Sequence, residues 1–311
     1  MKRAYNFNPG PAALPYEVLE KAREQFTDFE GIGMSIMEVS HRSKEYEQVH
    51  NDTGALFREL LGIPDGYKVL LLQGGASTQF AMIPMNLLQP GKTALYVDTG
   101  SWAQKAIHEA KRIGEVKIAA SSQDAGYTRV PDISNLQLTD DTAYVHITSN
   151  ETIGGIQYKE FPNTGSVPLV ADMSSDILSR PIKVEQFGLI YAGAQKNLGP
   201  SGVTVVIIRE DLLERAADQL PTMFRYSTHA DHNSLYNTPP VYSIYMVKLV
   251  LEWLKENGGL AAIELRNHEK TKLIYDVIDG SGGFYRGVAD PEYRSPMKDR
   301  KSTRLNSSHN A

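Results

Sequence analysis

Leu189-Ile-Tyr-Ala-Gly193-Ala-Gln-Lys196-Asn-Leu-Gly199-Pro-Ser-Gly202 is the stretch on which the reading of this chain turns. Its first four residues form an apolar run short enough for a strand covered on both faces, and small residues follow at once. In parallel α/β sheets, ligands gather beyond the carboxyl ends of the strands. A lysine placed there among glycine and alanine lies near tight backbone, where partial desolvation favours a neutral, nucleophilic amine. The same composition also suits a solvated lysine in a glycine-rich loop.

The neighbouring runs narrow the choice. Val167-Pro-Leu-Val-Ala171 ends at Asp172, one strand before Lys196. A carboxylate at that strand end can keep a pyridine nitrogen protonated and make the ring an electron sink; it can equally cap a turn with Ser174 and Ser175. Further upstream, Val69-Leu-Leu-Leu-Gln runs into Gly74-Gly75-Ala76-Ser77-Thr78-Gln79 and a helical pattern. Small residues at a helix start let backbone N–H groups approach an anion such as a phosphate, although an ordinary cap has the same look. Trp102 follows the next run and could stack on a flat ring or fill a core. Thr152, after Thr148-Ser-Asn-Glu, could donate to a phenolate oxygen or close a turn. No Walker loop and no Gly-x-Gly-x-x-Gly occurs, which argues against nucleoside triphosphatases and dinucleotide enzymes.

Around these motifs the pattern predicts an α/β fold with a mostly parallel sheet. Apolar runs at 69–72, 94–97, 143–147, 167–171 and 189–192 read as strands, with 203–208 as a possible closing strand. Two amphipathic helices precede the first strand, and helical stretches at 80–88 and 103–113 lie between the earliest ones. A long helix from 243 to 257 breaks at Gly258-Gly259 and resumes from 260 to 278, which sets a domain boundary at the glycine pair. The resulting division is an N-terminal arm (1–15), a large domain (16–257), the start of a smaller C-terminal α+β domain (258–297) and a non-native tail (298–311) that resembles translated adapter sequence.

Composition excludes several classes. The 311 residues include no cysteine, so disulfides, thiolate metal sites and cysteine nucleophiles are absent. Lys and Arg total 32 against 37 Asp and Glu, giving a net charge of −5 without blocks of either sign, so nucleic acid is disfavoured as a partner. No apolar run approaches the roughly 20 residues of a membrane span, and the N-terminus lacks a signal-like core, which leads to an expectation of a cytoplasmic protein that binds no metal and no membrane.

With these residues in place, the chain resembles the phosphoserine aminotransferases, class-V aminotransferases of the pyridoxal-phosphate fold type I. The resemblance runs from Tyr5-Asn-Phe-Asn-Pro9-Gly10-Pro11-Ala12 to about Met297, and its specific strings are Ser40-His41-Arg42-Ser43, Gly74-Gly-Ala-Ser-Thr-Gln-Phe80, Gly193-Ala-Gln-Lys-Asn-Leu-Gly-Pro200 and Asn237-Thr-Pro-Pro240. It implies a homodimer that uses pyridoxal 5′-phosphate to move an amino group between L-glutamate and 3-phosphohydroxypyruvate in serine biosynthesis, with some bacterial members also serving vitamin B6 (pyridoxine) synthesis. By matching motif, Lys196 would form the Schiff base, Asp172 would pair with the ring nitrogen and Trp102 would stack on the ring. Thr152 would bind the ring oxygen, and Ala76, Ser77 and Gln195 the cofactor phosphate. Asn237 and Thr238 would reach that phosphate from the other subunit, while Arg42, assisted by His41, would meet the substrate carboxylate. The family's later His and Arg motif for substrate phosphate has no match after Met297. That departure sets up two expectations: a poor transaminase, and, as the rival reading, a cofactor-binding interaction protein with an incomplete substrate pocket. A cysteine desulfurase on the same fold is disfavoured by the lack of cysteine.

Overall fold

The computed structural model describes residues 3–297 and the backbone of 301–303. Two helices come first, α1 (Tyr16–Glu24) and α2 (Lys44–Leu61), where the apolar spacing put them. The chain then alternates through β1 (Tyr67–Leu72), α3 (Gly75–Leu87), β2 (Thr93–Asp98), α4 (Ser101–Ala110), β3 (Glu115–Ser121) and β4 (Thr142–Thr148). A small hairpin of β5 (Asn150–Glu151) and β6 (Ile156–Gln157) precedes β7 (Leu169–Asp172), β8 (Leu189–Gly193) and β9 (Thr204–Arg209). Helices α5 (Tyr226–Asp231), α6 (Val241–Glu256) and α7 (Gly259–Asp279) follow, then β10 (Tyr285–Gly287), whose backbone pairs with β11 (Lys301–Thr303). Apart from that short pairing, the expectation for 298–311 lies outside the described residues.

Seven strands form one sheet in the order β1-β9-β8-β7-β4-β2-β3. The pairs from β8 through β3 are parallel, whereas β9 is antiparallel to both β8 and β1. The sequence suggested 203–208 as a closing strand; β9 instead lies inside the sheet. The β8-to-β9 connection is too short to house a crossover helix, so the chain can only turn back on itself. Strand β3 escaped the sequence reading because it is a sheet edge with Glu115 and Lys117 exposed, a charged pattern that discourages edge-to-edge pairing but hides the strand.

Side chains along the central strands alternate between two cores. Leu71, Val145, Ala171 and Ile190 pack with residues of α1, α2 and α6 on one face, while Leu70, Leu72, Tyr144, Val170 and Tyr191 pack with α3, α4 and α5 on the other. This period of two places alternate residues of each strand in each layer. At Gly258-Gly259 both residues take left-handed conformations between α6 and α7. Beyond that turn the surface changes character, for Leu265, Leu273, Ile274 and Val277 of α7 are exposed.

Candidate functional site at the strand ends

Three adjacent strands deliver the polar residues. Register pairs Thr148 of β4 with Asp172 of β7, and Asp172 with Tyr191 of β8, so these side chains share one face near the carboxyl edge. Asp172 is buried, and its Oδ1 accepts the Ser174 N–H at 2.9 Å while its carbonyl accepts both the N–H (3.0 Å) and the hydroxyl (2.9 Å) of Ser149. The capping role weighed for Asp172 is therefore present, yet it uses only one carboxylate oxygen. Tyr191 meets His146 Nε2 at 2.9 Å, and its phenol is held protonated first by burial and then by the negative charge of Asp172.

Lys196 follows β8 in a tight series of turns, its Nζ 2.7 Å from Thr152 Oγ1 and 4.6 Å from the centre of the Trp102 ring. Burial lowers its affinity for a proton, opposed by the charges of Asp172, Glu151 and Asp176 and reinforced by Lys105. Desolvation is the larger influence, so the fold moves this amine toward the neutral form a nucleophile needs. The N-terminal arm passes directly over it: Ala12 N–H donates to the Gln195 carbonyl at 2.9 Å, and a Cβ on Gly10 would meet Lys196 Cγ at 3.0 Å.

Ala76 and Ser77 lie in the first turn of α3, where backbone N–H groups have no partner within the helix. Gly74 caps that turn with φ of 89°, and a Cβ there would fall 2.2 Å from Thr78 Oγ1, so only glycine fits. The remaining expected residues sit apart. Arg42 and Thr238 are exposed, His41 and Asn237 half-buried, and among the described residues no hydrogen bond or ion pair joins any of the four to Lys196, Asp172, Trp102 or Thr152. His41 and Thr238 instead share a shallow surface cavity of about 360 Å³ with Met37, Pro239 and Tyr242. A more voluminous open cleft of about 1170 Å³ near Arg129, Lys159 and Tyr293 contains none of these groups, so chemistry rather than size identifies the site.

Sequence reasoning missed two buried acids. Glu151 accepts the N–H groups of Trp102 and Ala103, and burial pushes its carboxyl up to about 7. Asp176 accepts the Ser149 hydroxyl and Gln157 Nε2, and burial pushes it up to about 6. A signal existed for Glu151, an acid immediately before Thr152 and just past a strand that is buried from Ala143 onward.

The arrangement suits a flat pyridine ring bearing an aldehyde, a phenolate and a phosphate. An amine, a ring-covering indole, a buried carboxylate and a helix start converge, and Trp102 Nε1 and Thr148 Oγ1 are buried without a hydrogen-bond partner among the described residues. Unpaired buried donors at a strand end fit a site built to receive a polar ligand.

Comparison with known proteins agrees. The family described as aminotransferase class-V matches residues 4–298. A phosphoserine aminotransferase of Niallia circulans is 62% identical over 296 residues, covering 95% of this chain and 82% of that protein. The solved phosphoserine aminotransferase from Bacillus circulans subsp. alkalophilus superposes with a TM-score of 0.95 at 61% identity, covering 97% of this chain and 84% of the other. A pyridoxal-phosphate-bound phosphoserine aminotransferase from Trichomonas vaginalis gives 0.91 at 39% identity, covering 99% and 86%.

Proposed function

The chain belongs to the class-V aminotransferase family and is a pyridoxal-phosphate enzyme, and from that premise we propose that it transfers an amino group reversibly from L-glutamate to 3-phosphohydroxypyruvate, giving 2-oxoglutarate and O-phospho-L-serine. The observation that carries the reading is the Lys196 amine, half-buried, bonded to Thr152 and facing the Trp102 ring beside buried Asp172. Relatives that are 56–62% identical over nearly the whole chain favour this reading over a non-catalytic interaction protein.

When bound, the cofactor supplies an aldehyde that takes the amino group and a ring that draws electrons from the substrate's Cα. Lys196 Nζ, its affinity for a proton lowered by burial, takes the proton from that Cα and later returns one. Asp172 holds a positive charge at the ring nitrogen, and Thr152 keeps the amine directed while donating toward the ring oxygen. The free N–H groups at Ala76 and Ser77, with Gln195, hold the cofactor phosphate. Arg42, with His41 beside it, binds the substrate carboxylate, for which a guanidinium fork is suited. Asn237 and Thr238 complete the phosphate site of a second copy in a homodimer, a role consistent with the half-buried position of Asn237 and the exposed one of Thr238. Arm 1–15, large domain 16–257 and the beginning of a smaller domain at 258–297 form the working division, supported by the glycine pair between α6 and α7. Among the described residues no helix is long and apolar enough to cross a membrane; the cytoplasm is our proposed location, where the charged substrates of this reaction would be dissolved.

Steady-state transamination tests the proposal. Varying glutamate and 3-phosphohydroxypyruvate together should give the parallel double-reciprocal lines of a two-stage exchange. Failure to form phosphoserine with saturating cofactor and glutamate would overturn it.

A further inference from the structure

Glu151 is only 1% exposed and has no part in the assignments above, yet it connects two of them. Its Oε1 accepts the N–H of Trp102 at 3.1 Å and of Ala103 at 2.9 Å, and Oε2 lies 3.3 Å from the Trp102 nitrogen. These are first-turn N–H groups of α4, without partners inside the helix and at the positive end of its dipole. The turn leading into α4 closes tightly on the carboxylate: Gly100 has φ of 141°, and a Cβ there would meet the Glu151 carboxyl carbon at 3.2 Å. The next residue in the chain, Thr152, takes the Lys196 amine. Consecutive residues therefore hold the backbone that carries the indole and the amine 4.6 Å from that ring.

We propose that Glu151 is a positioning residue for the reaction, anchoring the first turn of α4 so that Trp102 stays stacked against the cofactor held at Lys196. The inference rests on the roles given to Trp102 and Lys196 under the proposed function. A carboxylate that merely stabilised α4 would matter whether or not an indole were present; one that acts through Trp102 would not.

The test is a double-mutant cycle read by the rate at which holoenzyme loses its visible absorbance while free cofactor is scavenged. Glu151→Gln keeps size and one acceptor oxygen, and Glu151→Met keeps bulk with no acceptor. Dissociation should quicken about threefold for the first and about tenfold for the second, the scale of one or two lost charge-assisted hydrogen bonds expressed partly through the ring. In a Trp102→Ala background the same substitutions should add less than about twofold. Equal factors in both backgrounds, or an unchanged rate in Glu151→Met, would overturn the inference. Unchanged dissociation in Trp102→Ala alone would overturn the stacking role of Trp102 and this inference with it. Should Glu151→Met fail to fold, the Glu151→Gln cycle decides alone.

Discussion

Lys196, Asp172, Trp102 and Thr152 meet at adjoining strand ends and are held by hydrogen bonds and ring contact, whereas Arg42, His41, Asn237 and Thr238 lie on outer segments with no hydrogen bond or ion pair to that group among the described residues. The first set is built into the core that every folded copy must form. Misplacing Thr152 would leave the Lys196 amine without its partner, and a buried carboxylate such as Asp172 left unpaired would cost several kcal/mol. The second set costs little to hold in place and little to move. The groups proposed to make and break bonds are thus fixed by one chain's packing, while those proposed for recognition stand on outer segments, where the proposed second copy or substrate would meet them.

The sharpest way to break that contrast is to remove the amine. Lys196→Ala should lower kcat about a thousandfold, as loss of a proton-transferring nucleophile does. It should also abolish covalent attachment of cofactor while leaving reversible binding, because the groups around it are held independently. Borohydride reduction and peptide mass spectrometry locate the attachment, and a label on another lysine would refute the assignment.

A smaller effect probes the outer set. If Asn237 serves a neighbouring copy, a dimer of one Lys196→Ala subunit and one Asn237→Ala subunit has one site with both lesions and one with neither. An equal mixture after confirmed subunit exchange should recover about a quarter of wild-type activity, since half the dimers are mixed and each has one sound site. If both residues act within one chain, nothing is recovered.

The same contrast marks what could be read from residues alone. Lys196 and Asp172 were legible because a polar group directly after a buried run has few places to go but the sheet's carboxyl edge. Most strands and helices were legible from apolar period. The antiparallel turn of β9 was not, since a buried strand looks alike in either direction and only the connection length decides. Charged, exposed β3 was hidden by its edge position. Asn237, Thr238, Arg42 and His41 came only from resemblance, because a polar residue on an outer segment carries no local sign of what it meets. Glu151 and Asp176 were passed over because acids in polar segments usually stay solvated, and only tertiary packing buried these two.

Their burial yields the subtlest prediction. Glu151 has a carboxyl raised from 4.5 to about 7, chiefly by burial, with the Trp102 and Ala103 N–H groups and Lys196 opposing and Asp172 reinforcing the rise; Tyr127 and Tyr158 also lie within its field. A group whose folded value exceeds its unfolded one contributes stability below the unfolded value and loses it as pH climbs through the folded one. Between about pH 4.5 and 7, wild-type protein should therefore lose stability from this residue, on the order of 1 to 3 kcal/mol in all. Asp176 acts in the same direction over a lower window, while buried His146, lowered to about 3, acts oppositely, so the total curve is a sum. The difference between Glu151→Gln and wild type isolates one contribution, because glutamine cannot ionise. Urea unfolding of both proteins across that range should show the variant gaining on wild type as pH rises, with most of the gain complete near neutrality. A difference independent of pH would mean that Glu151 is ionised throughout, bound by the α4 N–H groups and Lys196 tightly enough to outweigh its burial.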